Sequence, residues 1–343
     1  MRILYDVCII RILLIILLVT YHAFIIFRGG WEEPIGFKPV SVYWWMSSIA
    51  YSFLLEMFVF ISGYLWGYQE NTKGGSKTGK IIANKAKRLL IPSIFFSLIY
   101  YFIFYDFKEN PINISYSILK GSGHMWFLPM LFWCFVLWCF IHKYLKGRIV
   151  IPLLSLFSLF SFIPLPFRLN NAMYYMLFFY VGYVTWKYRK YVLEKFKNVR
   201  LVIGSILLFF VVFIFCTFLK ESTKEILKTT SILLNKVLYH MILKFLTIIY
   251  STLGILMVFV TVNFFIKYKK ISFSKNIIIL SSYCFGVYIF QQFILKLLYY
   301  KTSLPEIVGP YLLPWIGFFT TLFFSIILSF LTLKTKLGKA LIG

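Results

Sequence analysis

The chain has 343 residues, 61% of them hydrophobic and only 14% charged, with a mean hydropathy of +0.83; this excludes a water-soluble globular domain for most of its length. The formal charge of +25 forms no basic face for nucleic acid, because the Lys and Arg residues fall between apolar runs, where they read as topology signals. The five cysteines, Cys8, Cys134, Cys139, Cys216 and Cys284, lie in or beside apolar segments without metal-ligand spacing, so buried free thiols are expected, with neither disulfides nor a metal.

Apolar stretches of roughly 17–25 residues predict about ten membrane spans, at approximately 5–27, 42–68, 89–106, 124–142, 149–165, 172–188, 201–219, 238–266, 277–300 and 307–333. The expectation is an all-α polytopic membrane protein, with residues 1–343 forming one integral domain. If the N-terminus is cytoplasmic, the inner connections hold 23 cations and the outer ones ten. The positive-inside rule then places both termini in the cytoplasm of a multi-pass protein of the inner or plasma membrane. No cleavage site precedes Arg28, so the first run is expected to remain as a helix.

That first span carries Arg11 and His22. Eleven residues turn a helix through three full turns plus only ~20° and advance it ~16 Å, so the two side chains share one face at opposite depths of the bilayer. Ionisable groups inside a span are costly and normally face a protein interior or a wet cavity. The alternative is that Arg11 snorkels to the inner headgroups and His22 is interfacial.

The second span carries Glu56 at about the depth of His22, or somewhat deeper, a carboxylate that must be paired or protonated there. The Ser62-Gly63 pair after it reads as a close-packing point. Lys85, Lys87 and Arg88 precede Pro92 in a basic amphipathic run at the inner mouth of the third span. They read either as a headgroup-binding cluster or as a clamp for a polyphosphate. His124 and Trp126 stand at the outer mouth of the fourth span, where an aromatic-belt role is the alternative to a site. Lys244, in the eighth span, reads as a snorkelling lysine, and Gln291 and Gln292, in the ninth, as interhelical hydrogen-bonding groups.

In chain order these motifs are Arg11-(ten residues)-His22, Phe58-Val-Phe-Ile-Ser-Gly-Tyr64, Arg88-Leu-Leu-Ile-Pro92, His124-Met-Trp-Phe-Leu128 and Ser282-Tyr-Cys-Phe-Gly-Val-Tyr288. Together they resemble the membrane-bound acyltransferase 3 family, integral membrane O-acyltransferases of bacterial surface polysaccharides. The resemblance implies an acyl-CoA donor, usually acetyl-CoA, and an acceptor hydroxyl on an outer polysaccharide or lipid-linked glycan. It also implies that His22 is the catalytic histidine and that Arg11 belongs to the donor site. Two positions depart from the family pattern: Asp6 stands five residues before the arginine instead of three, and Gln291 stands where a histidine is common.

His22 is then the candidate base, with Glu56 or His124 as a group that orients or steadies it. Lys85, Lys87 and Arg88 are candidates for the CoA phosphates, and His124 and Trp126 for the acceptor. An acyl-histidine intermediate fits equally well. A different class stays open: a glycan exporter or non-catalytic export subunit, in which Arg11 and His22 line a polar pathway.

Overall fold

The computed structural model describes residues 4–34, 36–73, 78–105, 110–145, 147–196, 198–228, 233–268 and 274–343, and these are overwhelmingly α-helical, with no strand among them. Of the cations used for orientation, Arg2, Lys77, Lys108, Lys146, Lys197, Lys269 and Lys270 lie outside the described residues. Helices dominate because a backbone in hydrocarbon must satisfy its N–H and C=O groups within its own segment.

Eight helical stretches among the described residues are long and apolar enough to cross a membrane: Tyr5–Ala23, Ser41–Thr72, Gly79–Phe104, Gly123–Tyr144, Val199–Thr223, Asn235–Tyr268, Lys275–Tyr300 and Leu304–Lys334. They coincide with eight of the ten expected spans. The remaining two expected stretches fall on α7 (Val150–Leu159) and α8 (Leu169–Lys187). At ~1.5 Å per residue α7 is only ~15 Å long, half a hydrocarbon core, and α8 is diluted by Asn170, Asn171 and several tyrosines. The two pack on each other, with Ser158 Oγ donating to the Tyr174 carbonyl at 2.8 Å. Because these two stretches are consecutive, the count of spans stays even with or without them.

The chain divides into two compact units. The first comprises Met1–Leu54, Leu90–Trp126 and Phe273–Gly343. It contains α1 (Tyr5–Ala23), α2 (Ser41–Tyr51), the outer part of α4 (Thr78–Phe104), α5 (Pro111–Leu119), α12 (Lys275–Tyr300), α13 (Leu304–Lys334) and α14 (Lys336–Ile342). Here α12 packs against both α1 and α13, and α1 against α2. A core of Ala23, Phe24, Ile26, Phe27, Leu295, Tyr299 and Leu313 closes the end of α1. The short α5 lies in the connection before His124, with Asn110 accepting from the Ile112 N–H at 3.0 Å and Pro111 at its first position.

The second unit comprises Leu55–Leu89 and Phe127–Ser272. It contains most of α3 (Leu54–Lys73), the basic start of α4, then α6 (Phe127–Tyr144), α7, α8, α9 (Arg189–Lys195), α10 (Val199–Lys228) and α11 (Leu233–Tyr268). Long helices α10 and α11 pair along their length. The Gly63 packing point expected from sequence is real and reciprocal. A Cβ at Gly63 would overlap the Phe179 carbonyl, and a Cβ at Gly182 the Phe60 carbonyl, so α3 and α8 cross backbone to backbone. Small residues permit that approach where hydrophobic burial gives helices no preference for each other over lipid.

Gly63→Ala and Gly182→Ala are each expected to destabilise the second unit by about 1–3 kcal/mol through overpacking. Ser62→Ala is the control, since its hydroxyl donates only to the Phe58 carbonyl of its own helix, at 3.0 Å. Thermal unfolding of the solubilised protein checks this: equal midpoints for Gly63→Ala and Ser62→Ala would refute the crossing.

Candidate functional site

His22 occupies the last turn of α1. A helix C-terminus leaves carbonyls without intrahelical partners, and here the Ala23 carbonyl accepts the Tyr299 hydroxyl of α12 at 2.7 Å. That bond fixes the end of α1 one residue beyond the imidazole. The chain then turns through Ile25–Arg28 and Gly29, which has φ +71°. The turn brings Trp31 back over His22, with ring centroids 5.8 Å apart and planes 20° from parallel.

His124 sits in the 3₁₀ turn Gly123–Trp126. Two left-handed glycines precede it, Gly121 at φ +86° and Gly123 at φ +56°; a Cβ on Gly123 would press within 2.9 Å of Gln292 Oε1. Serines of α4 stitch the turn in place: Ser97 Oγ accepts the Ser122 N–H at 3.0 Å, and Ser93 Oγ donates to the Met125 carbonyl at 3.4 Å.

The ring of His124 is engaged on both sides. Gln292 Oε1 accepts the His124 backbone N–H at 3.0 Å, which identifies that atom as the amide oxygen, and it lies 2.6 Å from Nδ1. Nε2 faces the Ile289 carbonyl at 2.9 Å. The Tyr288 hydroxyl donates to the His124 carbonyl at 2.6 Å. Both ring nitrogens thus point at protein oxygens, and neither is open to accept a proton from a substrate.

His22 is different. Its ring centroid lies 6.5 Å from that of His124, with planes 67° apart, and the two residues are only 6% and 5% exposed. The Leu18 carbonyl and the Gln291 side chain are hydrogen-bonding neighbours of the His22 ring. Neither closes a bond of proper geometry, for His22 Nδ1 and both Gln291 amide atoms are buried without a partner among the described residues. Buried polar atoms are rarely left so. The pair therefore consists of one imidazole clamped by protein and one that keeps an unengaged nitrogen.

Arg11, half-buried on the same helix, is an electrostatic neighbour of Cys284 on α12, and Trp126 is half-buried in the His124 turn. The first unit thus holds four of the residues singled out from sequence: Arg11, His22, His124 and Trp126.

The other four belong to the second unit. Glu56 is buried in the first turn of α3, where the Tyr174 hydroxyl donates to it at 2.9 Å. Lys244 and Lys220 are its electrostatic neighbours. Lys244 Nζ lies 4.5 Å from the Tyr174 ring centroid, and Lys220 Nζ donates to Thr247 Oγ1 at 2.6 Å and to the Tyr250 hydroxyl at 2.8 Å. Lys244 is therefore a member of a polar cluster and not simply a lysine reaching for headgroups. Lys85 Nζ sits 3.9 Å from the Phe135 ring centroid, while Lys87 and Arg88 are exposed. Among the described residues no group of three His, Cys, Asp or Glu side chains is placed to hold a metal.

A model of the acyltransferase 3 family, described as an acyltransferase domain, matches residues 4–334. The chain belongs to the acyltransferase 3 family. It is a multi-pass membrane acyltransferase. No curated protein and no solved structure matches it.

Sequence reasoning about this acyltransferase missed Tyr299, Trp31 and Lys296; it had Tyr288 as the end of a motif, and Gln291 and Gln292 as interhelical groups, Gln291 also as a departure from the family pattern. One signal was there to read. Tyr288, Gln292 and Lys296 recur every four residues, which puts all three on one face of α12.

Gln292→Leu leaves the His124 N–H and Nδ1 without their acceptor and is expected to cost about 1–3 kcal/mol. Gln292→Glu, which still offers an oxygen to both, should lose far less. Thermal unfolding of the two variants side by side is the measurement; equal losses would mean that the clamp does not depend on the acceptor oxygen.

Proposed function

We propose that this acyltransferase moves an acetyl group from acetyl-CoA, supplied by the cytoplasm, to a sugar hydroxyl of a polysaccharide or lipid-linked glycan on the outer side of a bacterial plasma membrane. The observation that carries the reading is His22 Nδ1, buried without a partner among the described residues, beside a histidine whose two nitrogens both face protein oxygens. Family membership supports acyl transfer as the reaction class.

A sugar hydroxyl is a poor nucleophile, and a positioned imidazole removes its proton as the oxygen attacks the thioester carbonyl. The hydroxyl oxygen forms the new C–O bond while its proton passes to His22. Collapse of the tetrahedral intermediate breaks the C–S bond, and the departing thiolate takes the proton from His22 to leave as CoA thiol. A two-step course forms a C–N bond from the acetyl group to His22 as C–S breaks, then breaks that C–N bond as the sugar oxygen attacks, with the same net change.

In this reading Arg11, Lys85, Lys87 and Arg88 serve the anionic donor, since guanidinium and ammonium groups suit phosphate oxygens. His124 and Trp126 line the acceptor side. The orienting role considered for Glu56 draws no support from its described partners, which are Tyr174 and two lysines. Glu56 is better assigned to holding the second unit together.

The test is His22→Ala in cells that make the glycan. Acetyl esters are expected to fall by at least ~10²-fold, the usual worth of a general base, while the amount of surface glycan stays normal. Loss of surface glycan with esterification intact on what remains would make the protein an exporter. Arg11→Ala is expected to raise the KM for acetyl-CoA; an unchanged donor KM would remove Arg11 from the donor site.

A further inference from the structure

Lys296 is half-buried near the end of α12, one turn beyond Gln292. Its ammonium stands among three aromatic rings, 5.6 Å from the Trp31 centroid, 5.4 Å from Tyr100 and 5.5 Å from Phe104. Two of those rings belong to the histidine pair's surroundings: Trp31 stacks on His22, and Tyr100 lies 6.0 Å from the His124 ring. Lys296 also acts electrostatically on His124.

Aromatic faces attract an ammonium but give its three N–H groups no oxygen acceptor. Among the described residues Lys296 makes no hydrogen bond and no ion pair; exposed Glu32 acts on it only from a distance. Its side chain is half-buried and not sealed in the core. The contrast with Lys220, which spends its ammonium on Thr247 and Tyr250, is direct. An ammonium at membrane depth with no acceptor for its N–H groups is costly, and an occupant that brings a negative charge to those groups offsets that cost.

We propose that Lys296 is the residue that selects the acceptor, taking a carboxylate or phosphate carried by the sugar whose hydroxyl is presented to His22. This rests on the acetyl-transfer reading above and adds to it the chemical class of the acceptor: an anionic glycan. The flat ring of half-buried Trp31 beside the ammonium suits the apolar face of a pyranose, so charge and stacking would fix one sugar unit next to the imidazole.

The experiment uses the full chain in lipid nanodiscs with acetyl-CoA and three acceptor probes: octyl glucoside, octyl glucuronide and octyl glucoside 6-phosphate. Ester formation on the shared secondary hydroxyls is followed by mass spectrometry. At least one anionic probe is expected to exceed the neutral one about tenfold in kcat/KM, the scale of one hydrogen bond to a charged group; which of the two does so separates carboxylate from phosphate. Lys296→Met is expected to bring the ratio of anionic to neutral kcat/KM down to about one with the KM for acetyl-CoA unchanged, and Lys296→Arg to retain most of the preference. Acetylation of all three probes at equal rates, or an equal loss on all three in Lys296→Met, would overturn the assignment and mark Lys296 as a lysine that only reaches for headgroups. Failure of the wild-type protein to acetylate any probe would instead strike at the acetyl-transfer reading, and this proposal would fall with it.

Discussion

The candidate site depends on the clamp that α12 closes on His124. One glutamine oxygen takes both the backbone N–H and Nδ1, the Ile289 carbonyl faces Nε2, and the Tyr288 hydroxyl takes the carbonyl. In a low-dielectric interior each of these groups would be expensive to leave unmade, so the set acts as a unit. Eleven residues beyond Tyr288, Tyr299 caps α1 just past His22. A single helix therefore sets the position of both imidazoles, although it contributes no histidine itself. The glycines before His124 belong to the same device, since Gly123 lets the glutamine oxygen approach the turn.

The two units spend their polar residues differently. In the second, Glu56, Tyr174, Lys244, Lys220, Thr247 and Tyr250 form a cluster in which the carboxylate, phenols and ammonium groups meet complementary neighbours. Such a cluster suits holding helices together in a membrane, where polar contacts replace hydrophobic burial as the glue. In the first, His22 Nδ1 and both Gln291 amide atoms are buried without partners among the described residues, close to a clamped histidine, and the Lys296 ammonium stands among aromatic rings. Unfulfilled polar groups at membrane depth are rare and tend to mark function. What sets the candidate site apart is that its unpartnered imidazole nitrogen lies beside a second, clamped histidine.

The sequence alone determined the all-helical membrane character and most of the spans, because hydropathy over some twenty residues reflects a bilayer thickness that every spanning helix must match. It also placed Arg11 and His22 on one face, since helical periodicity is local. It set the Gly63 packing point for the same reason, as only a small side chain admits another backbone. Only the tertiary structure decided which polar groups meet across helices. That His124 lies beside His22, that its nitrogens are taken by residues some 165 positions later in the chain, that Glu56 belongs with Tyr174, and that Lys296 stands among aromatic rings all depend on contacts between distant segments. A lysine or glutamine in an apolar run carries the same local signal whether it is satisfied, snorkelling or waiting for a ligand; the difference lies in the neighbours that folding supplies.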